Sequence, residues 1–161
     1  MLQLKPNPWS CSITSLAMTL HVPVQQLVDD LGHDGSEIVF PELPEPMCRR
    51  GFHSQELIHL AWRYGFTVTP FELYPTIRPT TGEGVVTVTF DGSEQNNWRR
   101  FIDTIHRATG ILEGRGATCH HAVHFRYGDV WDPDGHQYPY TKDACEERNF
   151  FANRALIFIR R

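Results

Sequence analysis

The most constraining feature of this chain is the order in which its two hydrophobic periodicities occur. Helical spacing comes first. In Cys11–Leu20 the apolar groups Ile13, Leu16, Ala17 and Leu20 recur at i, i+3, i+4 and i+7, which predicts a buried helix. It follows Asn7-Pro8-Trp9-Ser10, with Ser10 placed to cap it. Pro23 opens a second helix, with Val24, Leu27, Val28 and Leu31 on one face and Gly32 as its stop. A third helical pattern, carried by Leu57, Ile58, Ala61 and Trp62, runs over 54–64 and ends at Gly65. Strand spacing dominates afterwards. Residues 66–71 alternate, and 85–90 are rich in β-branched side chains. A helix over 94–109, with Trp98, Phe101, Ile102 and Ile105 inward, interrupts the strands. Residues 111–113 read as a short strand, and 121–127 with 130–131 as a hairpin turning at Gly128-Asp129. Residues 155–159 are a final buried strand. Regular β–α alternation would imply a parallel sheet. Helices before strands predict an α+β fold, with N-terminal helices packed on a C-terminal antiparallel sheet. A length of 161 residues suits one domain, 1–161, with a helical half (1–65) and a mainly strand half (66–161).

Composition removes several function classes. With 40% hydrophobic and 21% charged residues, the chain has the apolar content a packed core needs, and disorder is excluded. A net charge of −4 offers no field to draw nucleic acid. No apolar run approaches the roughly 18–20 residues of a membrane span. Residues 1–9 lack the basic-then-apolar pattern of a secretory signal, so the expected compartment is the cytoplasm. Thiols stay reduced there, and Cys11, Cys48, Cys119 and Cys145 read as free.

One cysteine stands where chemistry favours it. Cys11 opens the first predicted helix, and the backbone N–H groups and dipole at such an end stabilise a thiolate. A nucleophilic thiolate needs a base, and the base needs an orienting group. His121 begins the strand His-Ala-Val-His-Phe-Arg-Tyr. After the turn the chain returns to Asp132-Pro133, which sets Asp132 at the same end of the hairpin as His121. Pro133 ends the strand there. His120 points to the opposite strand face and is the reserve base, and Asp134 is the reserve carboxylate.

The run Cys11-Ser-Ile-Thr-Ser-Leu-Ala-Met-Thr-Leu resembles the nucleophile helix of papain-like cysteine peptidases. It is closest to the bacteriocin-processing, double-glycine-leader group, whose helix reads roughly Cys-Gly-x-x-Ser/Ala-Leu-Ala-Met. His121-Ala-Val followed by Asp132-Pro133 resembles that group's His…Asp-Pro hairpin. The resemblance implies a minimal papain-like fold and a cysteine peptidase acting on a peptide or isopeptide bond. Cys11 would be nucleophile, His121 base and Asp132 orienter, with a protein or peptide as substrate and no cofactor. Acyl transfer is a variant of the same chemistry. The sequence departs from the pattern at Ser12, where the group has Gly, and at Lys5, six residues before the cysteine, where papain-like enzymes have an oxyanion-binding Gln. Asn7 and Gln3 are the amides that stand in for it. These departures motivate an alternative reading, a catalytically weak or inactive papain-like protein that binds and blocks a partner.

Cys119, His120, His121 and His124 also invite a zinc reading. The paired Cys-x₂₋₄-Cys spacing is lacking, and no His-Glu-x-x-His occurs, so no metal is expected. The proline-rich stretch 32–50 is read as a wall of the substrate cleft.

Overall fold

The structure, a computed structural model, describes residues 1–72, 77–79, 86–88 and 92–161, with side-chain surroundings for 1–72 and 99–161. Three helices lead: α1 (Cys11–Leu20), α2 (Val24–Leu31) and α3 (Ser54–Arg63). Strand β1 (Phe66–Glu72) follows, then the short strands β2 (Ile77–Pro79) and β3 (Val86–Val88), paired with each other. Helix α4 (Gly92–Arg107) precedes β4 (Thr109–Arg115), β5 (His120–Arg126), β6 (Asp129–Asp132) and β7 (His136–Pro139). Helix α5 (Lys142–Glu147) and the long strand β8 (Phe151–Arg160) complete the order. The expected strand over 85–90 is described only at 86–88, and the inward placement of Trp98 lies outside the described side chains.

Six strands form one antiparallel sheet in the order β1-β8-β4-β5-β6-β7. The α+β architecture expected from the sequence is the one observed. The last strand is inserted between β1 and β4, and Ala155, Leu156 and Phe158 of its apolar run are buried, while Ile159, expected to be buried, is exposed. Side chains on one face of the sheet, including Ile111, Ala122 and Leu156, pack beneath α1, α2 and α3. Those on the other face, including Leu112, Val123 and Phe125, pack with Phe101 and Ile105 of α4 and Cys145 of α5.

Helix α1 is nearly all buried, which explains its unusual mixture of apolar and small hydroxyl residues. Two of the hydroxyls bond to the sheet, while Thr14 Oγ1 is buried without a partner. Ser15 Oγ donates to the Ala122 carbonyl at 3.0 Å, and Thr19 Oγ1 lies 2.9 Å from His124 Nδ1. Their small size lets the helix lie close along β5, with its start at the His121 end of the strand. The hairpin turn is centred on Tyr127 and Gly128, one residue earlier than the expected Gly128-Asp129. Both take positive φ, 51° and 89°, the twist a two-residue hairpin needs. Strand β7 and helix α5 have no counterpart in the sequence reading.

Candidate functional site

Ser10 sits at the N-cap position of α1 but makes no side-chain cap bond, contrary to expectation. Its hydroxyl donates instead to the Asn7 carbonyl at 2.9 Å, closing a turn ahead of the helix. The Cys11 thiol therefore stands at a helix start whose positive end is not neutralised by a capping oxygen. The thiol is buried, and burial alone would raise its pKa. A hydrogen bond and charge interaction with His121, together with a bond from the Ala122 backbone, outweigh burial and lower the pKa below the ordinary thiol value. Ser12 Oγ lies 3.9 Å from the sulfur.

His121 lies past the last residue of β5 that pairs with β6, His124 opposite Trp131. Its Nε2 is 2.9 Å from Asp132 Oδ1, and both side chains are buried. That contact occupies one ring nitrogen, so the other is the one free to exchange a proton with a thiol. Burial disfavours the charged ring, yet the bond to Asp132 and the interaction with Cys11 raise its pKa to about 10. Burial likewise acts to raise the Asp132 carboxyl, and His121 more than offsets it, leaving the group below the usual carboxylate value. Asp132 has a second anchor, the Asp134 N–H, which donates to Oδ1 at 2.8 Å. It opens a four-residue turn closed by Gly135 N–H on its own carbonyl at 2.9 Å, with Gly135 at φ 96°. The Asp-Pro-Asp-Gly sequence is thus both a turn and the source of the imidazole's partner. Phe150 meets the His121 ring edge-on at 5.8 Å, and a side chain at Gly116 would come within 3.0 Å of the His121 Cβ.

The other sequence candidates fall elsewhere. His120 is exposed near Glu113 and Arg154, and partial desolvation by its surroundings lowers its pKa. Among the histidines, the interactions on the Cys11 thiol come from His121. Asp134 Oδ2 is 3.9 Å from His121 Nε2, an ångström further than Asp132, and it is ion-paired with Lys5. The Gln3 amide is not free. Its Nε2 donates to the Val22 carbonyl at 2.7 Å, and its Oε1 accepts from Val24 N–H at 3.1 Å. Asn7 carries a buried Oδ1 with no hydrogen-bond partner.

The zinc reading does not match the arrangement. His124 is committed to Thr19 and the Gly110 carbonyl, and burial depresses its pKa to about 4. His121, Asp132 and Asp134 do bring three donor atoms within 4.8 Å of one another. The Lys5 ammonium already sits on Asp134, however, and a second cation beside it is disfavoured.

A cavity of about 290 Å³ opens beside His121, lined by Lys5, Cys119, Asp134, His136, Arg148 and Phe150 among others. Lys5 and Phe150 were not foreseen as site residues. Lys5 was visible only as a departure from a family pattern, and Phe150 carried no signal. The 32–50 segment runs beside the approach to α1. Trp9 Nε1 donates to the Asp34 carbonyl at 3.0 Å, and the Arg49 guanidinium lies over the Trp9 ring at 4.9 Å. This segment exposes Ile38, Val39, Phe40, Leu43 and Met47.

No helix among the described residues is long and apolar enough to cross a membrane. No family model matches the chain, and no curated protein matches it at a significant level. Among solved structures it is similar to a double glycine motif protease from an AMS/PCAT transporter, crystallised in complex with the leader peptide. The match has a TM-score of 0.57 at 16% identity, and covers 100% of this chain and 91% of that one. At that identity the likeness is one of fold: this chain shares the α+β architecture of that protease.

Proposed function

We propose that the protein is a cysteine-type peptidase, with Cys11 as nucleophile, His121 as general base and acid, and Asp132 as the group that orients His121. The observation that carries this reading is the buried His121–Asp132 pair at 2.9 Å, beside the buried Cys11 thiol at the uncapped start of α1, whose pKa His121 lowers. Attack by the thiolate on a substrate carbonyl forms the S–C bond and moves the π electrons onto oxygen. The imidazolium then gives its proton to the leaving nitrogen as the C–N bond breaks. Water, activated by the neutral ring, releases the acid and restores the thiol pair. The Cys11 backbone N–H is one oxyanion donor, and the Asn7 side-chain NH2, four residues ahead of the thiol, is the second. Gln3 is not part of this reading, because both ends of its amide hold the α1–α2 turn.

The substrate class is a protein or peptide, cleaved at a peptide or isopeptide bond. The solved structure of similar fold holds a leader peptide, which supports a peptide ligand, and the exposed apolar residues of 38–47 suit an apolar segment of one. Residues 1–65 supply the thiol and 66–161 the His–Asp pair, so the chain acts as one catalytic unit. A reduced thiol is required, which suits a reducing compartment such as the cytoplasm. The test is turnover of a peptide library by the wild type and by Cys11→Ala. Loss of cleavage in the variant is expected. Cleavage that persists in Cys11→Ala refutes the assignment, and a wild type that cleaves nothing yet binds a partner protein equally well with or without the thiol favours a non-catalytic binding role.

A further inference from the structure

The residues ahead of Cys11 form a strap from the helical side of the molecule to the strand side. Gln3 is tied by both ends of its amide to the turn between α1 and α2. Lys5, two residues on, crosses to the turn after β6. Its N–H donates to the Pro133 carbonyl at 3.0 Å, and its ammonium pairs with Asp134. Between them, Leu4 covers the same turn closely enough that a side chain at Gly135 would come within 3.2 Å of its Cδ2. Lys5 therefore grips, through both backbone and side chain, the four residues that present Asp132 to His121.

Charge at the site also needs this lysine. Two carboxylates face one ring nitrogen, Asp132 at 2.9 Å and Asp134 at 3.9 Å. With a thiolate at Cys11, three anions would surround one imidazolium. The other titratable neighbours are Cys119 ahead of β5, His120 on β5, His136 and Tyr138 on β7, and Glu147 with Arg148 at the end of α5, the last two paired with each other at 4.0 Å. The Lys5 ammonium is the cation placed directly on the second carboxylate.

We propose that Lys5 is the positioning and charge-balancing residue of the His121–Asp132 pair, holding the Asp132 turn in place and neutralising Asp134 so that Asp132 alone governs the imidazole. This rests on the reading of Cys11 and His121 as the reactive pair. It makes the lysine found six residues before the cysteine a working part of the site.

The test reads two titrations in the intact protein. The His121 ring is followed by NMR across pH, and Cys11 by its rate of alkylation with iodoacetamide. Removing a nearby cation raises every pKa in the cluster, and removing a nearby anion lowers every one. Lys5→Met should shift both midpoints up and Asp134→Asn should shift both down, each by about 0.5–1 pH unit at low salt. The double variant should return close to wild type, Lys5→Arg should keep the wild-type midpoints, and roughly 1 M salt should shrink the single-variant shifts. A merely structural role would move both single variants in the same direction. Shifts of the same sign, or none in His121, overturn the proposal. An ordinary thiol profile for wild-type Cys11, with opposite His121 shifts intact, overturns the peptidase reading and leaves the role of Lys5 standing.

Discussion

Replacing Asp132 with asparagine exchanges one carboxylate oxygen for an amide nitrogen and leaves an oxygen to face His121. The variant removes charge while the 2.9 Å contact, and the Asp134 N–H bond to the same oxygen at 2.8 Å, retain an acceptor. A hydrogen bond to a charged group contributes about 1.5–3 kcal/mol net, and a neutral one about 1, so the expected cost is about 1–2 kcal/mol near neutral pH. In a chain of this size that lowers Tm by about 3–6 °C. The pH dependence is the sharper test. The His121 pKa is raised in the folded state to about 10, so its contribution is complete below the unfolded value near 6.5 and fades as pH rises through about 10. The Asp132 pKa is lowered from 3.8, so its contribution is complete above that value and fades as pH falls through the lower folded one. The gap in urea midpoint between wild type and Asp132→Asn should therefore be widest from about pH 4 to 6.5, shrink steadily as pH rises toward 10, and close at both extremes. A gap constant from pH 3 to 11, or no gap at pH 7, would refute the charge pairing.

Three further outcomes follow from the same geometry. Iodoacetamide at pH 6–7 should label Cys11 well before Cys48 and Cys145, since burial pushes Cys145 up to about 11 and also raises Cys48; mass spectrometry of a time course reads the order, and prior labelling of Cys145 or Cys48 would contradict it. Asn7→Ala should lower kcat about 10²–10³-fold with little change in KM if the amide holds the oxyanion, whereas a change in KM alone would remove it from that role. His124 is buried and neutral, with its pKa depressed to about 4, so stability should fall as pH drops from 6.5 toward 4, by up to about 3 kcal/mol; His124→Gln should flatten that acid limb in urea titrations.

Local information was enough wherever the determining contacts lie close in sequence. The apolar spacing of α1 states that the helix is buried, and Asn7-Pro8 ahead of it marks where it starts, so Cys11 could be placed at a helix end without a fold. The Asp-Pro-Asp-Gly run declares a turn, and the approximate length of the hairpin then sets Asp132 near His121. The misses share a cause. Ser10 has the right side chain for a cap, but the Asn7 carbonyl competes for its hydroxyl and wins. Among the described residues strand β7 pairs with β6 alone and is four residues long, and α5 is six, too short for periodicity to register.

The sequence alone determined the α+β order of elements, the helix that begins at Cys11 and the pairing of a histidine strand with an aspartate turn, because each depends on spacing within a few residues. Only the tertiary structure decided which groups meet. Strand alternation puts His120 and His121 on opposite faces but cannot say which one interacts with the thiol; Ser15 and Thr19 of α1 touch Ala122 and His124, on the His120 face, yet the interactions on the Cys11 thiol come from His121 at the start of β5. In the same way nothing near residues 3–5 in the chain tells that Gln3 is held by the α1–α2 turn while Lys5 is held by a turn more than a hundred residues away. Those contacts join segments distant in sequence, and their free energy exists only once the sheet has brought the two halves together.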